Sequence, residues 1–288
     1  MNRVVITGMS AITALGDDWR SFQHALKEGK NAVKVMPEWE KIDGLNTRLA
    51  APVEHFVKPA HYKRKMVRSM GRVSLMATRA TELAIEMSGL TGNPVLTDGN
   101  TGVAYGSSTG STPPIIAFAN MIEEGCMSGV TATSYIQMMS HTTPVNIGVF
   151  FGLKGRVLTT SSACTSGSQG IGYAYEAIKF GRQKAMVAGG AEELCVSEAA
   201  VFDTLYATSI KNEHPETTPR PFDQARDGLV IGEGACTLIL EELEHAKARG
   251  ANILAEVVGF GCNSDGAHVT QPTAETMQVA IEQAIHDA

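Results

Sequence analysis

Short apolar runs alternate with segments of helical periodicity along most of the chain, and this alternation limits the folds that the sequence can adopt. Apolar residues recur every three or four positions in the segments between the runs, which predicts helices there. Strands separated by helices are typical of proteins in which helices cover both faces of a sheet. The sequence therefore predicts an α/β fold with layered helices and a mixed, mostly parallel sheet. Strands are expected at 3–8, 101–106, 156–161, 184–189, 235–240 and 253–261, and helices at 19–26, 70–87, 115–124, 165–180, 198–207 and 241–249.

Length and composition exclude several classes of protein. The 288 residues are 43% hydrophobic and carry a net charge of −6, so one large or two smaller domains can form, and no general basic surface is available to bind nucleic acid. The N-terminus lacks the long apolar core of a signal peptide, and the apolar runs are too short to span a bilayer. The cysteines are odd in number and lack CxxC spacing, which argues against a disulfide framework or a zinc site. We expect a cytoplasmic protein with reduced thiols.

One cysteine lies where a predicted strand turns into a predicted helix. Cys164 follows the β-branched strand end Thr159-Thr160 and precedes Thr165-Ser166-Gly167, so small polar residues surround it. The N–H groups and the positive dipole end of a helix favour a thiolate at such a junction, and a thiolate is the nucleophilic form of cysteine. A cysteine in a cytosolic protein is more often an inert, small apolar residue, an interpretation that fits Cys126, Cys195, Cys236 and Cys262. For Cys164 the local residues leave both interpretations open.

Longer stretches of the sequence resemble a known family. They are VVITGMSAITALG (4–16), TSSACTSGSQGIGYAYEAIKFG (160–181), VAGGAEE (187–193), RPFDQARDGLVIGEGACTLILEELEHAKARGA (220–251) and EVVGFGCNSDGAHVTQP (256–272). In this order they resemble the elongating β-ketoacyl-acyl-carrier-protein synthases of the thiolase superfamily, and the resemblance extends over essentially the whole chain.

The resemblance implies a fold and a reaction. The expected fold is thiolase-like, with residues 1–250 forming the N-terminal half and residues 251–288 the beginning of the second half. The family transfers an acyl group to a cysteine, here Cys164, and then joins it to malonyl-acyl-carrier protein with loss of carbon dioxide, in fatty-acid or polyketide biosynthesis. No metal or redox cofactor is implied, since the substrates are carried on the phosphopantetheine of acyl carrier protein. A homodimer or a heterodimer of ketosynthase-like chains is expected.

The resemblance also assigns roles to residues outside the cysteine turn. It places Phe202 and Thr109 at the acyl pocket and Thr270 in the pantetheine channel, although Phe202 is equally compatible with a core aromatic residue on a helix. Arg64, Lys65 and Arg68 belong to the one dense basic run, at 61–72, which could dock an acidic carrier protein or form an ordinary solvated face. Arg64, Arg68 and Arg72 follow four-residue spacing and are expected to share one helix face.

The chain departs from the family in one large respect. The two active-site histidine motifs and the glycine-rich segment of the family's second half do not occur in the sequence, and His24 and His245 are expected to be simply solvated. The last helical pattern reaches residue 288 without a stop signal, which favours a fragment of a longer synthase over a complete short protein. Condensation by this chain alone is therefore not expected. The alternatives are a non-catalytic dimer partner of the chain-length-factor type, although such partners typically lack the cysteine, and a degradative thiolase.

Overall fold

The computed structural model describes residues 1–268 and 270–288 and shows strands and helices in alternation. The strands are β1 (Val4–Thr13), β2 (Lys34–Val35), β3 (Leu49–Ala51), β4 (Thr101–Gly106), β5 (Val157–Thr159), β6 (Ala185–Glu192), β7 (Ile231–Gly232), β8 (Gly234–Glu242) and β9 (Ala255–Val257). The helices are α1 (Trp19–Lys27), α2 (Arg64–Val67), α3 (Arg72–Ser88), α4 (Thr112–Glu124), α5 (Ser134–Met138), α6 (Thr142–Phe151), α7 (Ser166–Lys179), α8 (Val196–Thr204), α9 (Leu243–Ala248) and α10 (Ala274–Asp287). The predicted α/β alternation is confirmed.

The main sheet has six strands in the order β5-β4-β6-β8-β1-β9. Strand β4 pairs parallel with β5 and β6, whereas β6–β8, β8–β1 and β1–β9 are antiparallel. The sheet is therefore mixed, as predicted, but the expected parallel majority is wrong. The reason lies in residues 193–233, which return the chain to the sheet at the end where β6 finished, so that β8 must run in the opposite direction.

Helices α3 and α7 cover opposite faces of this sheet. Val103 and Tyr105 of β4 belong to a core cluster with buried residues of α3, whereas Ala104 belongs to a second cluster with buried residues of α7. Alternate residues of a strand point to opposite faces, so the register of β4 assigns one helix to each side. A small sheet, β2-β3-β7, lies beside the main one.

The basic run does not form one continuous helix. Helix α2 ends at Val67, and α3 begins at Arg72 after Gly71 in an extended conformation. The guanidinium of Arg72 is bound by Glu233, with Nε–Oε1 and Nη2–Oε2 distances of 2.5 and 2.9 Å. The expectation that Arg72 shares a helix face with Arg64 and Arg68 is therefore wrong, because the chain turns between them and Arg72 is used inside the fold.

Several element bounds also differ from those that the sequence predicts. Strand β1 continues to Thr13, and six residues of β8 pair with β1 beyond a register shift near Gly8. The predicted helix at 241–249 begins two residues later because β8 extends to Glu242. The predicted strand 253–261 is reduced to Ala255–Val257. No helix in the described ranges is both long enough and apolar enough to cross a membrane.

Candidate functional site

A cavity of about 520 Å³ lies at the end of the sheet where β4 and β6 finish and α7 begins. The side chains and backbone that line it come from five elements or their flanking turns. From the strands come Ile12 and Thr13 of β1, Gly106 at the end of β4, Gly189 to Glu192 of β6, and Gly234, Ala235, Cys236 and Leu238 of β8. The remaining lining residues are Ser107 and Ser108 after β4, Ala163 and Cys164 before α7, and Ser166, Gly167 and Ile171 of α7. The carboxyl ends of parallel strands in open α/β sheets are where ligands commonly bind.

The turn that presents Cys164 is held in an unusual conformation. Residues Ala163–Thr165 form one turn of 3-10 helix directly before α7, and Ala163 has a φ of 53°. A left-handed conformation is unfavourable for a residue other than glycine and is found where the surrounding structure enforces it, often at functional sites. Here Ser166 enforces it, because its hydroxyl donates to the Ala163 carbonyl at 2.6 Å and accepts from the Ser162 N–H at 2.9 Å. Cys164 is thereby exposed at the cavity wall, ahead of the helix N-terminus.

Glycines allow α7 to approach the sheet at this point. A Cβ atom on Gly106 would lie 2.4 Å from the Cβ of Ser166, and one on Gly190 would lie 3.0 Å from the Cα of Gly167. The first separation is shorter than side chains tolerate and the second leaves no spare room, so larger residues would push the start of α7 away from β4 and β6. The small residues that the sequence shows around Cys164 are therefore required by packing as well as by access.

The other cysteines are not the buried apolar residues that the sequence suggested. Cys195 is half-buried, and Cys126, Cys236 and Cys262 are exposed. Cys236 also lines the cavity of Cys164, yet its surroundings desolvate the thiol and raise its pKa. A raised pKa leaves less thiolate at neutral pH, so this effect makes Cys236 less nucleophilic than an ordinary cysteine.

Glu192 is the ionisable carboxylic acid of the cavity wall. Burial raises its pKa, although hydrogen bonds from the Ser108 N–H (2.5 Å), the Ser107 hydroxyl (2.9 Å) and the Thr109 N–H (3.3 Å) act in the opposite direction. These three bonds tie the loop after β4 to the end of β6. Glu192 thus shapes the cavity wall on the side of Thr109.

Thr109 does not line the cavity itself but lies directly behind this wall. Its hydroxyl donates to Oε1 of Glu198 at 2.8 Å. Burial, together with the charges of Glu192 and Glu193, raises the pKa of Glu198 to about 7, although the bond from Thr109 acts in the opposite direction. Sequence reasoning missed Glu198, because an acid in the first turn of a helix is usually explained by helix capping alone.

The remaining predicted site residues lie apart from the cavity wall. Phe202 is half-buried on α8 and does not line the cavity, and Thr270 is exposed, with its N–H donating to Nδ1 of His268 at 3.1 Å. Arg64, Lys65 and Arg68 are all exposed, and no salt bridge to them is found among the described residues. The structure therefore places Cys164 in the cavity wall and the other predicted residues outside it, and the roles of all of them stay predictions.

None of the eight histidines lines the cavity as far as the structure describes it. His24 is exposed and pairs with Glu28 on α1, as a solvated residue would. His245 is different, because its Nδ1 lies 2.7 Å from Oε1 of the fully buried Glu241. The expectation that His245 is simply solvated is wrong. The sequence predicts a helix over residues 241–249, whereas Glu241 lies in strand β8 and its side chain is buried beside His245.

Comparison with known proteins places this geometry among ketosynthases. The family described as Beta-ketoacyl synthase, N-terminal domain, matches residues 1–246. The 3-oxoacyl-[acyl-carrier-protein] synthase 1 of Haemophilus influenzae is 34% identical over 288 residues, which are 99% of this chain and 70% of that protein. The 3-oxoacyl-[acyl-carrier-protein] synthase 2 of Vibrio cholerae is 36% identical, and the chain covers 69% of its length.

Solved structures show the same fold. The crystal structure of a β-ketoacyl synthase from Burkholderia phymatum matches with a TM-score of 0.98 and 61% identity, over 100% of this chain and 71% of that one. A ketosynthase in complex with its type II polyketide synthase acyl-carrier protein, bound to a hexaketide, matches with a TM-score of 0.83 and 26% identity, over 99% of this chain and 70% of that one. The thiolase-like fold that the sequence predicts is confirmed.

Proposed function

The chain belongs to the β-ketoacyl synthase family of acyltransferases, and on this premise we propose that Cys164 accepts the acyl group in a decarboxylative condensation on acyl carrier protein. The single observation that carries the proposal is the position of this thiol. Cys164 is exposed at the wall of a cavity of about 520 Å³, in a strained turn at the N-terminal end of α7.

The turn suits acyl transfer to sulfur. The Cys164 thiolate attacks the carbonyl carbon of an acyl thioester, and negative charge develops on the carbonyl oxygen. The backbone N–H of Cys164, in the 3-10 turn before α7, is the group that we propose stabilises this charge. The new S–C bond forms as the bond to the phosphopantetheine sulfur breaks, and the departing thiolate takes up the proton that Cys164 lost.

Condensation then consumes the acyl-enzyme. Malonyl-acyl-carrier protein loses carbon dioxide, and the electron pair of the broken C–C bond forms the new bond to the acyl carbon on Cys164. The S–C bond to Cys164 breaks, which restores the thiolate and releases a β-ketoacyl product on the carrier protein. Groups that promote decarboxylation, histidines above all, do not line the cavity in the described part of the chain.

The exposed cations on and around α2 support docking of the carrier protein. Arg64, Lys65 and Arg68 project from a chain with a net charge of −6 and remain outside the salt bridges found between described residues. The side chain of Gln137 on α5 donates to the Arg68 carbonyl at 3.1 Å and so fixes the end of this segment. A fixed, uncompensated positive patch attracts an acidic partner.

The position of strand β5 supports the predicted dimer. This strand forms one edge of the six-stranded sheet, and Val157 on it is exposed. An unpaired edge of this kind can add a strand from a second copy. Strand-to-strand pairing at β5 would continue the sheet across both chains, next to the turn that carries Cys164.

Acylation of Cys164 tests the proposal directly. We expect acyl-carrier-protein thioesters to acylate Cys164, detected by peptide mass spectrometry, and Cys164→Ser or Cys164→Ala to reduce labelling by at least about a hundredfold, as is typical when a nucleophile is removed. Cys236→Ser serves as the matched control, because it removes a thiol from the same cavity wall and should leave labelling of Cys164 in place. Acylation of Cys195 or Cys262 with Cys164 unmodified would show that the nucleophile is assigned wrongly.

A further inference from the structure

We propose that a small cavity beside α2 receives an apolar side chain of the acyl carrier protein, while Arg64, Lys65 and Arg68 hold the acidic surface around that side chain. The inference rests on the proposed function, because it takes the carrier protein as the partner that brings the acyl group. It goes beyond that function by naming the place where the partner is anchored and the kind of side chain that the anchor accepts.

The cavity has a volume of about 240 Å³ and lies between the start of α3, the first half of α4 and the short helix α5. Met70, Pro113, Pro114 and Ala117 form its apolar wall. A Cβ atom on Gly129 would lie 3.6 Å from the Cβ of Ala117, so the loop after α4 packs against this wall at van der Waals distance. The space is therefore bounded on several sides and is deeper than an ordinary surface depression.

The polar side chains of the cavity wall already have partners within the protein. The hydroxyl oxygens of Thr131 and Ser134 lie 3.0 Å apart, and Ser134 also accepts from the Thr131 N–H at 2.9 Å. Gln137 donates to two backbone carbonyls, Ser111 accepts from a backbone N–H of α3 at 3.4 Å, and Arg72 is bound to a buried glutamate. A polar group that enters this space exchanges its bonds to water for few new ones, which is unfavourable. The contacts that remain for a partner are mainly apolar.

The basic segment lies at the rim of the same cavity. Gln137 of the wall donates to the carbonyl oxygens of Arg68 and Met70 at 3.1 and 3.4 Å, which joins the end of this segment to the cavity. Arg64 and Lys65 lie directly before, on α2, and all three cationic side chains are exposed. None of the three forms a salt bridge within the ranges that the structure describes. Positive charge beside an apolar depression is complementary to an acidic surface from which an apolar side chain projects.

The size of the cavity favours one protein side chain over a free ligand. Sites for small organic ligands usually have volumes of about 300 Å³ or more, above the volume of this cavity. Interface anchors, in contrast, are commonly single large side chains in desolvated pockets, with charged contacts around them. A second copy of this chain carries a net charge of −6, spread over its whole surface. The carrier protein is the better match, because it must approach the cations of α2 in order to deliver its substrate.

Filling the cavity tests the inference by binding alone. Ala117→Leu places an isobutyl group in the space, and the dissociation constant of acyl carrier protein without its phosphopantetheine is measured by calorimetry. We expect this constant to rise about tenfold or more, because the burial of one large apolar side chain contributes at least that factor to affinity. Ala119→Leu is the matched control, since it makes the same change at an exposed position of α4 outside the cavity and should bind as wild type.

Added salt separates the apolar anchor from the cations. Exposed charges are screened by salt, whereas burial of an apolar side chain is not weakened. The loss of affinity in Ala117→Leu should therefore stay at about tenfold or more at low and high ionic strength. The loss caused by Arg64→Glu with Arg68→Glu should decrease as salt is added. Equal affinities of wild type and Ala117→Leu, an equal loss in Ala119→Leu, or a loss in Ala117→Leu that disappears with salt would overturn the inference.

The thiol of Cys164 reports whether each variant is folded. Its alkylation by iodoacetamide, followed by peptide mass spectrometry, should have the wild-type rate in Ala117→Leu and in Ala119→Leu. If Ala117→Leu does not fold, Ala117→Val fills the cavity in part and should weaken binding by about threefold or more. Wild-type affinity in a folded Ala117→Val would then contradict the inference.

Failure of the inference and failure of the proposed function give different results. Loss of carrier binding in Ala117→Leu, in a protein whose Cys164 is acylated by no thioester, would refute the acyltransferase role and leave the docking cavity standing. Acylation of Cys164 by a thioester that needs no carrier, without binding of the carrier protein to wild type, would refute the docking cavity alone. A change of oligomeric state in Ala117→Leu at unchanged carrier affinity, measured by analytical ultracentrifugation, would assign the cavity to a second copy of the chain and overturn the inference as well.

Discussion

Among single residues, Glu241 shows how this fold holds a charge inside its sheet. The side chain is fully buried on β8 and accepts hydrogen bonds from Thr7 at 2.6 Å and from Nε of Arg249 at 2.8 Å, while His245 lies at 2.7 Å. Burial alone would raise the pKa of Glu241, but the bonds from Arg249 and Thr7 outweigh it and hold the pKa below its ordinary value. The ionised carboxylate therefore links β1 and β8 to α9 and to Arg249, which follows that helix.

Glu241→Gln should destabilise the protein by about 3 kcal/mol, because it leaves Arg249 partly buried without its counter-ion. A lowered pKa in the folded state means that the carboxylate contributes full stability above its unfolded pKa of about 4.5, and that this contribution is lost as the pH falls through the folded value. Urea unfolding of wild type and variant, at neutral pH and in steps below pH 5, measures both effects. Glu244→Gln, which breaks the exposed pair with Lys247, is the control; an equal loss of stability in the two variants would contradict this account.

The residues that carry the candidate site could be predicted only in part. The sequence makes Cys164 a candidate, because small neighbours and a helix start are local properties, and the resemblance to the family then favours it over the other cysteines. Glu198 and Thr109 are 89 positions apart and meet only through tertiary packing, so their bond leaves no trace in local spacing. The prediction that His245 is solvated is wrong for a related reason. Its partner Glu241 lies at the end of strand β8, where the residue pattern predicts a helix.

At the scale of elements, the basic run shows why a period in the sequence does not guarantee a continuous helix. Spacing of four residues from Arg64 to Arg72 predicts a shared face, yet Gly71 separates α2 from α3. Glycine is poorly suited to helix interiors and here adopts an extended conformation. The break leaves Arg64, Lys65 and Arg68 exposed and turns Arg72 toward Glu233.

Replacing Arg64 and Arg68 with Glu should weaken binding of an acidic carrier protein by about tenfold or more, since several close charge contacts become repulsive. The wild-type affinity should also decrease with added salt, because exposed charges are screened. Titration of acyl carrier protein by calorimetry at two ionic strengths measures both. Arg20→Glu with Lys27→Glu on α1 changes the net charge equally and is the control; a similar loss from this pair would mean that overall charge, not the α2 segment, governs binding.

Periodicity predicted the order of the main elements, but strand direction depended on long-range connections. Residues 193–233 contain α8 and the small strand β7, and neither indicates at which end of the sheet the chain will return. The antiparallel pairing of β8 with β6 is therefore set by the packing of that segment, for example by Asp203, which binds the backbone of Asn46 and Thr47.

For the whole molecule, the described surface combines the cavity of Cys164 with many exposed apolar side chains. Large apolar side chains are exposed on several elements, among them Ile122 of α4, Val149 of α6 and Ile285 of α10. Contiguous exposed apolar surface usually marks contact with other protein surface. The cavity wall contains the thiol of Cys164 and the carboxyl group of Glu192, but no histidine in its described part.

Purified residues 1–288 should therefore accept acyl groups on Cys164 without forming a β-ketoacyl product. Decarboxylation of the malonyl group requires groups that stabilise the developing carbanion, and none of the eight histidines is placed to act at Cys164 in the described structure. Mass spectrometry of the carrier protein after incubation with acyl and malonyl thioesters measures the product, with acylated Cys164 as the internal positive control. Sustained β-ketoacyl formation by this polypeptide would show that other residues of the chain perform the step.

One contact suggests how motion in the last part of the chain is coupled to the turn that carries Cys164. It joins Phe260 to Gly172 of α7. A Cβ atom on Gly172 would lie 2.1 Å from the ring of Phe260, so the ring occupies a notch in the middle of α7, and Tyr175 on the same helix donates to the Val258 carbonyl at 3.0 Å. Segments locked in this way tend to open together as one cooperative unit in hydrogen exchange. Amide protection along α7 would then report on residues 258–260, and a ligand that lifts Phe260 out of its notch would loosen the helix whose first turn orients Cys164.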